Sequence, residues 1–186
     1  MPVVSKTAGE PSVGSAIALE SLLPDARRLA PDVFQERHGN SFLLFTAKKA
    51  ADQKSQSNTN LLLDGDEDEP EGRTASLSVV VYPLRPRDCA QGSMVTLGRE
   101  SRQDVVIQDM SVSRFHAFAK PGPDGALVLQ DAGSTNGTTV NGESVLTAAA
   151  GPPRRLKPGD NVRLGHIEVT FTDARALREF VLRTAR

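Results

Sequence analysis

The sequence predicts an all-β sandwich or barrel over residues 77–172, and three observations carry that reading. Short runs rich in β-branched residues recur at even spacing, Gly, Pro, Asn and Asp divide them, and Asn141-Gly142 is a strong hairpin-turn signal. The runs are 77–82, ending at Pro83; 95–97, before Gly98; 105–107, before Gln108-Asp109; and 116–119, stopped by Pro121-Gly122. Residues 127–129, 138–140, 161–164 and 167–171 complete the series. Residues 173–183 return to helical spacing, with Leu177, Phe180 and Val181 on one side and Glu179 four residues before Arg183. A short C-terminal helix within 173–186 follows.

The first 76 residues differ. Residues 1–50 form an N-terminal extension with weak helical patches, Ile17, Leu19, Leu22 and Leu23 in one and Val33 and Phe34 in another, kept short by Pro24 and Pro31. Phe42-Leu43-Leu44-Phe45 reads as a strand or a docking segment, and the region as an interaction segment, a partial domain or a strand added to the sandwich. Residues 51–76 are polar and carry the acidic run from Asp64 to Glu71. That composition cannot bury enough apolar surface to offset its ordering entropy, so the segment reads as a linker and the extension as partly disordered.

Composition narrows the function. The formal net charge of −1 gives no bulk attraction to nucleic acid or to a membrane surface. Residues 77–172 hold 9 acidic against 10 basic side chains, so an anion site there has to be built locally. A single cysteine, Cys89, cannot form an internal disulfide, and no apolar run has signal-peptide or membrane-span length, so a cytoplasmic protein is expected.

Two segments carry chemistry. Gly98-Arg99 leads to Ser113-Arg114-Phe115-His116, and Ser134-Thr135-Asn136-Gly137 follows about twenty residues later. Arg99, after a glycine at a strand end, can present a planar fork of donors to a phosphate. Alone it reads as a solvated arginine, as Ser113 alone reads as a turn serine. Together, in order, they place an arginine, hydroxyls and an asparagine on turns, which suits a phosphate monoester. His116, three residues after Ser113, invites a nucleophile–base reading. No third group orients it and no nucleophile elbow surrounds any serine, so no catalytic residue and no enzyme activity is expected. His38, His116, His166 and Cys89 lack metal-ligand spacing, nucleotide-binding glycine motifs are absent, and neither metal nor cofactor is expected.

At these residues the chain resembles the forkhead-associated (FHA) domain family. Its pattern is matched by Gly98-Arg99, by Ser113 to His116, by Thr135 to Thr138 and by Asn141-Gly142, with further matches at residues 104–107, Asp109, Asp131 and 156–165. The resemblance covers roughly residues 77–172. It implies an FHA-type β-sandwich of about eleven strands in two sheets, whose loops bind phosphothreonine in an extended peptide. By the same carry-over Arg99 and Ser113 hold the phosphate, Arg114 and Thr135 line the pocket, Asn136 bonds the peptide backbone, and Gly98, His116 and Gly137 support the loops. The implied function is a phosphothreonine-peptide-binding adaptor in Ser/Thr kinase signalling, its partners phosphothreonine proteins that are substrates of, or include, a kinase. The alternative is a phosphate-independent scaffold using a sheet face or the N-terminal extension.

Two narrower expectations remain. Family selectivity often depends on the residue three places after the phosphothreonine, near Ser111 and Thr139 here; neither is charged, so no strong charge preference is expected from them. Thr59 and Thr74 in the linker, once phosphorylated, are tethered candidates for the same pocket, at the millimolar effective concentrations that short flexible linkers give.

Overall fold

A computed structural model describes residues 16–48, 77–87 and 94–184. The expected linker with Thr59 and Thr74, the first fifteen residues and Cys89 lie outside these. Strand β1 (Ile17–Ala18) leads through a 3₁₀ turn (Leu19–Leu22) into α1 (Leu23–Arg28) and α2 (Pro31–His38). Leu23 opens α1, and Val33 and Phe34 lie in α2, whereas Ile17 is in β1 and Leu19 and Leu22 are in the 3₁₀ turn; Pro24 and Pro31 sit in the first turns of the two helices, where a missing N–H is not needed.

The strands that follow are β2 (Ser41–Lys48), β3 (Leu77–Pro83), β4 (Val95–Gly98), β5 (Val105–Val106), β6 (Ala117–Pro121) and β7 (Leu127–Asp131). Next come β8 (Thr138–Val140), β9 (Glu143–Ser144), β10 (Arg154–Arg155), β11 (Asn161–Leu164) and β12 (Ile167–Asp173), and α3 (Ala174–Thr184) closes the chain. They form a seven-stranded sheet, ordered β1-β3-β2-β12-β11-β8-β9, and a five-stranded sheet, ordered β10-β7-β6-β4-β5. The fold is the expected two-sheet β-sandwich with a C-terminal helix. Among the described residues it has twelve strands, two of them, β1 and β2, from the extension.

Of the alternatives open for residues 1–50, the structure makes 41–48 a central strand. β2 pairs antiparallel with β3 from Phe42↔Pro83 to Lys48↔Leu77, and with β12 at Thr170↔Leu44. The reason lies in its side chains. Leu43 and Phe45 join the core between the sheets, while Phe42 and Leu44 join a second core on the sheet's outer face. A strand buried on both faces reads as a continuous apolar run. The second core takes Leu22 from the 3₁₀ turn, Ala26 from α1, Phe34 from α2, Val79 and Val81 from β3, and Ala174, Leu177 and Val181 from α3. Asp173 caps α3, its carboxylate accepting the Ala176 N–H at 2.8 Å.

The Asn-Gly turn forms as expected between β8 and β9. Asn141 and Gly142 have φ of 52° and 83°, the two positive values that a twisted two-residue hairpin turn requires. The Asn141 carboxamide also accepts the Asn161 N–H and donates to Asp160 Oδ1, both at 2.8 Å, tying the hairpin to β11.

Candidate functional site

The loops after β4, β5 and β7 and the β11–β12 turn are joined to one another by hydrogen bonds. β4 ends at Gly98, where a side chain is impossible: an ideal Cβ would lie 2.3 Å from the Arg114 carbonyl oxygen. That close passage lets the Arg99 and Glu100 N–H groups donate to the Ser113 and Arg114 carbonyls, at 3.0 and 3.3 Å. Arg99 Nε donates to the Val112 carbonyl at 3.1 Å. Its two terminal nitrogens have no hydrogen-bond partner among the described residues. The guanidinium is thus aimed while most of its donors stay open, a state suited to an anion with several acceptor oxygens.

His116 holds the next layer. Its ring is fully buried. Nδ1 accepts the Ser113 N–H at 3.0 Å, and Nε2–H donates to the Gly137 carbonyl at 3.1 Å, a pairing that requires the neutral ring. Burial lowers its pKa, offset in part by the Gly137 carbonyl and the Asp131 charge, so the ring is neutral at physiological pH. One imidazole therefore fixes the spacing of two loops. Gly137 itself has φ of 77°, with open space where a Cβ would stand, so backbone conformation rather than room calls for glycine there.

Asp131 organises the turn between β7 and β8. Its carboxylate accepts the Gly133 and Ser134 N–H groups at 2.7 and 2.9 Å, and the Ser134 and Thr138 hydroxyls at 2.6 Å each. Burial pushes its pKa up, but these four donors outweigh it and hold the carboxyl below its usual range. With its charge spent on its own loop, it opposes an incoming anion less than a bare carboxylate would.

The turn so held presents Thr135 and Asn136. The Thr135 N–H donates to Ser113 Oγ at 3.1 Å, the two hydroxyls lie 3.4 Å apart, and Asn136 Nδ2 donates to the Ser111 carbonyl at 2.8 Å. Arg99, Ser113, Thr135 and Asn136 are thereby linked through direct bonds and the intervening 111–113 backbone. Arg114 is exposed beside them, its side chain making no hydrogen bond among the described residues. Gly98, His116 and Gly137 form the frame beneath. Two contributions went unassigned in the sequence. The Val112 carbonyl that steers Arg99 has no side-chain signal. Asp131 had one, an aspartate two and three residues before Gly133 and Ser134, the spacing of an Asx turn.

Among the described residues, no group of three or more His, Cys, Asp or Glu could hold a metal, and no helix is long and apolar enough to cross a membrane.

Residues 95–165 match the family model of the FHA domain. The chain is 38% identical over 103 residues to the ABC transporter ATP-binding/permease protein Rv1747 of Mycobacterium tuberculosis, covering 55% of this chain and 11% of that protein. It is 39% identical over 75 residues to the glycogen accumulation regulator GarA of Mycolicibacterium smegmatis, covering 40% of this chain and 42% of the relative. The chain thus spans less than half the length of either relative. A solved FhaA FHA domain in complex with the intracellular domain of Rv3910 is 22% identical, with 72% of this chain and 99% of that chain covered, and superposes with a TM-score of 0.42.

Proposed function

The chain carries an FHA domain over residues 95–165, and from that premise we propose that it is a phosphothreonine-peptide-binding adaptor in Ser/Thr kinase signalling. FHA domains are binding modules, and in this reading the protein carries out no catalysis and needs no cofactor. One observation carries it. An arginine with its terminal donors open, a serine and a threonine hydroxyl and a backbone-linked asparagine converge on loops fixed by a buried neutral histidine.

In this reading each residue has its own role. Arg99 supplies the positive charge, and Ser113 adds a neutral donor to a second phosphate oxygen. Thr135 and Arg114 line the flanks, and Asn136 bonds the main chain of the extended peptide. Phosphorylation adds nearly two negative charges and three strong acceptor oxygens, so one aimed arginine within neutral donors separates modified from unmodified peptide. The partners in this reading are phosphothreonine proteins, substrates of a Ser/Thr kinase or the kinase itself, met in the cytoplasm without nucleic acid or membrane. Titrating a phosphothreonine peptide library against the protein, with its unphosphorylated twin alongside, tests the reading. Selective binding of the phosphorylated pool supports it. Equal binding of both pools, or capture of partners that survives phosphatase treatment, favours the phosphate-independent scaffold.

A further inference from the structure

Ser111 lies at a junction of three loops, and none of its polar groups is left over. Its N–H and its hydroxyl both donate to Asp109 Oδ1, at 2.8 and 2.6 Å. The same hydroxyl oxygen accepts the His166 N–H at 2.9 Å, and the Ser111 carbonyl accepts Asn136 Nδ2 at 2.8 Å. One residue thus ties the β5–β6 loop to the β11–β12 turn through its side chain and to the β7–β8 loop through its backbone. The packing is close as well. A Cβ on Gly165, which has φ of 62°, would stand 2.4 Å from the Ser111 carbonyl oxygen.

From these bonds we infer that Ser111 is a positioning residue for the Asn136 carboxamide, held in turn by Asp109, and that it does not read the peptide's downstream side chain. The inference rests on the phosphopeptide reading and sharpens the chemistry of the same site. An asparagine side chain carries two N–H donors and one carbonyl acceptor. Spending one N–H on Ser111 leaves Asn136 one donor and its Oδ1, a pair that matches the alternating C=O and N–H groups of an extended main chain. Without the tie, the carboxamide rotates freely about its last torsion and loses part of that match on ordering. The hydroxyl of Ser111, bonded on both sides, has no further hydrogen to offer a peptide side chain. The neighbouring Met110, 84% exposed, is the apolar surface that this loop presents instead. Thr139 is engaged too, its hydroxyl accepting Arg163 Nε at 3.4 Å.

The experiment compares two ligands on the full chain. One is a phosphothreonine peptide selected by the wild-type protein. The other is free phosphothreonine, which offers the phosphate but no peptide amide. Ser111→Ala is expected to weaken the peptide about 10-fold, the effect of one positioned hydrogen bond, and to leave free phosphothreonine within about 2-fold. Ser111→Thr, which keeps the hydroxyl, restores most of the affinity. Adding Asn136→Ala to Ser111→Ala costs little more, because coupled residues are not additive. Wild-type peptide affinity in Ser111→Ala, equal losses on both ligands, or additive losses in the double variant would overturn the inference alone. If Ser111→Ala does not fold, Asp109→Asn reports the same coupling: peptide weakened and free phosphothreonine retained supports it, any other ratio refutes it. A wild-type protein that selects no phosphothreonine peptide from the library removes the phosphopeptide reading and this inference together.

Discussion

Two buried histidines sit in different regions of this molecule and do opposite things. His116, beneath the loops, has both ring nitrogens bonded, one by Ser113 and one to Gly137. His38, at the end of α2 in the helical layer, bonds Asp25 through Nε2 at 2.9 Å, while its buried Nδ1 has no partner among the described residues. Burial is the largest influence on both and lowers the pKa of each. The difference is satisfaction. A fully bonded buried polar group fixes the elements it touches, whereas a half-bonded one leaves part of its desolvation cost unreturned. His116 accordingly holds a site together. His38 packs against Phe34 of the second core, with ring centroids 4.6 Å apart.

The largest break in that comparison is His116→Ala. It leaves a cavity and strands the Ser113 N–H and the Gly137 carbonyl, which together cost about 3–5 kcal/mol. Chemical denaturation is expected to show that loss, with phosphopeptide binding lost as well. A stable variant with full affinity would remove His116 from the frame. Arg99→Ala comes next, and its effect falls on binding. Removing a charge-assisted contact of about 2–3 kcal/mol lowers phosphopeptide affinity about 30- to 150-fold, read by calorimetry, with the melting temperature little changed.

A smaller effect is the pH dependence of stability. In both histidines the folded pKa lies below the ordinary value of about 6.5, so between those two values the unfolded chain binds more protons. The histidine contribution is full above about pH 6.5 and is lost as pH falls towards the folded values, so melting scans from about pH 7.5 to about pH 5 should show a declining midpoint. Protonated His116 can no longer accept the Ser113 N–H, so peptide affinity weakens over the same range.

The smallest expected effect is His38→Leu. Asp25 keeps Arg37 at 3.3 Å, and the orphaned nitrogen disappears, so stability changes by less than about 1 kcal/mol and part of the pH slope is removed. A loss comparable to that of His116→Ala would erase the contrast between the two sites.

The loops were legible in the sequence because their chemistry is local. Gly98 beside Arg99, Ser113 three residues before His116, and Asn136 before a left-handed Gly137 each announce a turn with its own physical reason. The helical layer was legible only in pieces. Phe42 to Phe45 gives the same apolar run whether a strand is buried on both faces or docks elsewhere, and only the pairing with β3 and β12 separates the two. Ser111 shows the other limit. The resemblance put it only near where a downstream peptide residue is read, whereas its partners Asp109, Asn136 and His166 come from three loops, a convergence that spacing along the chain does not reveal.

The most direct test of the account is an amide NMR titration of the protein with a phosphothreonine peptide and with its unphosphorylated twin. The account predicts shifts centred on Arg99, Ser113, Thr135 and Asn136 with the phosphorylated peptide, and none with the twin. Equal shifts with both peptides, or shifts centred on α1, α2 and α3 with the loops unmoved, would contradict it.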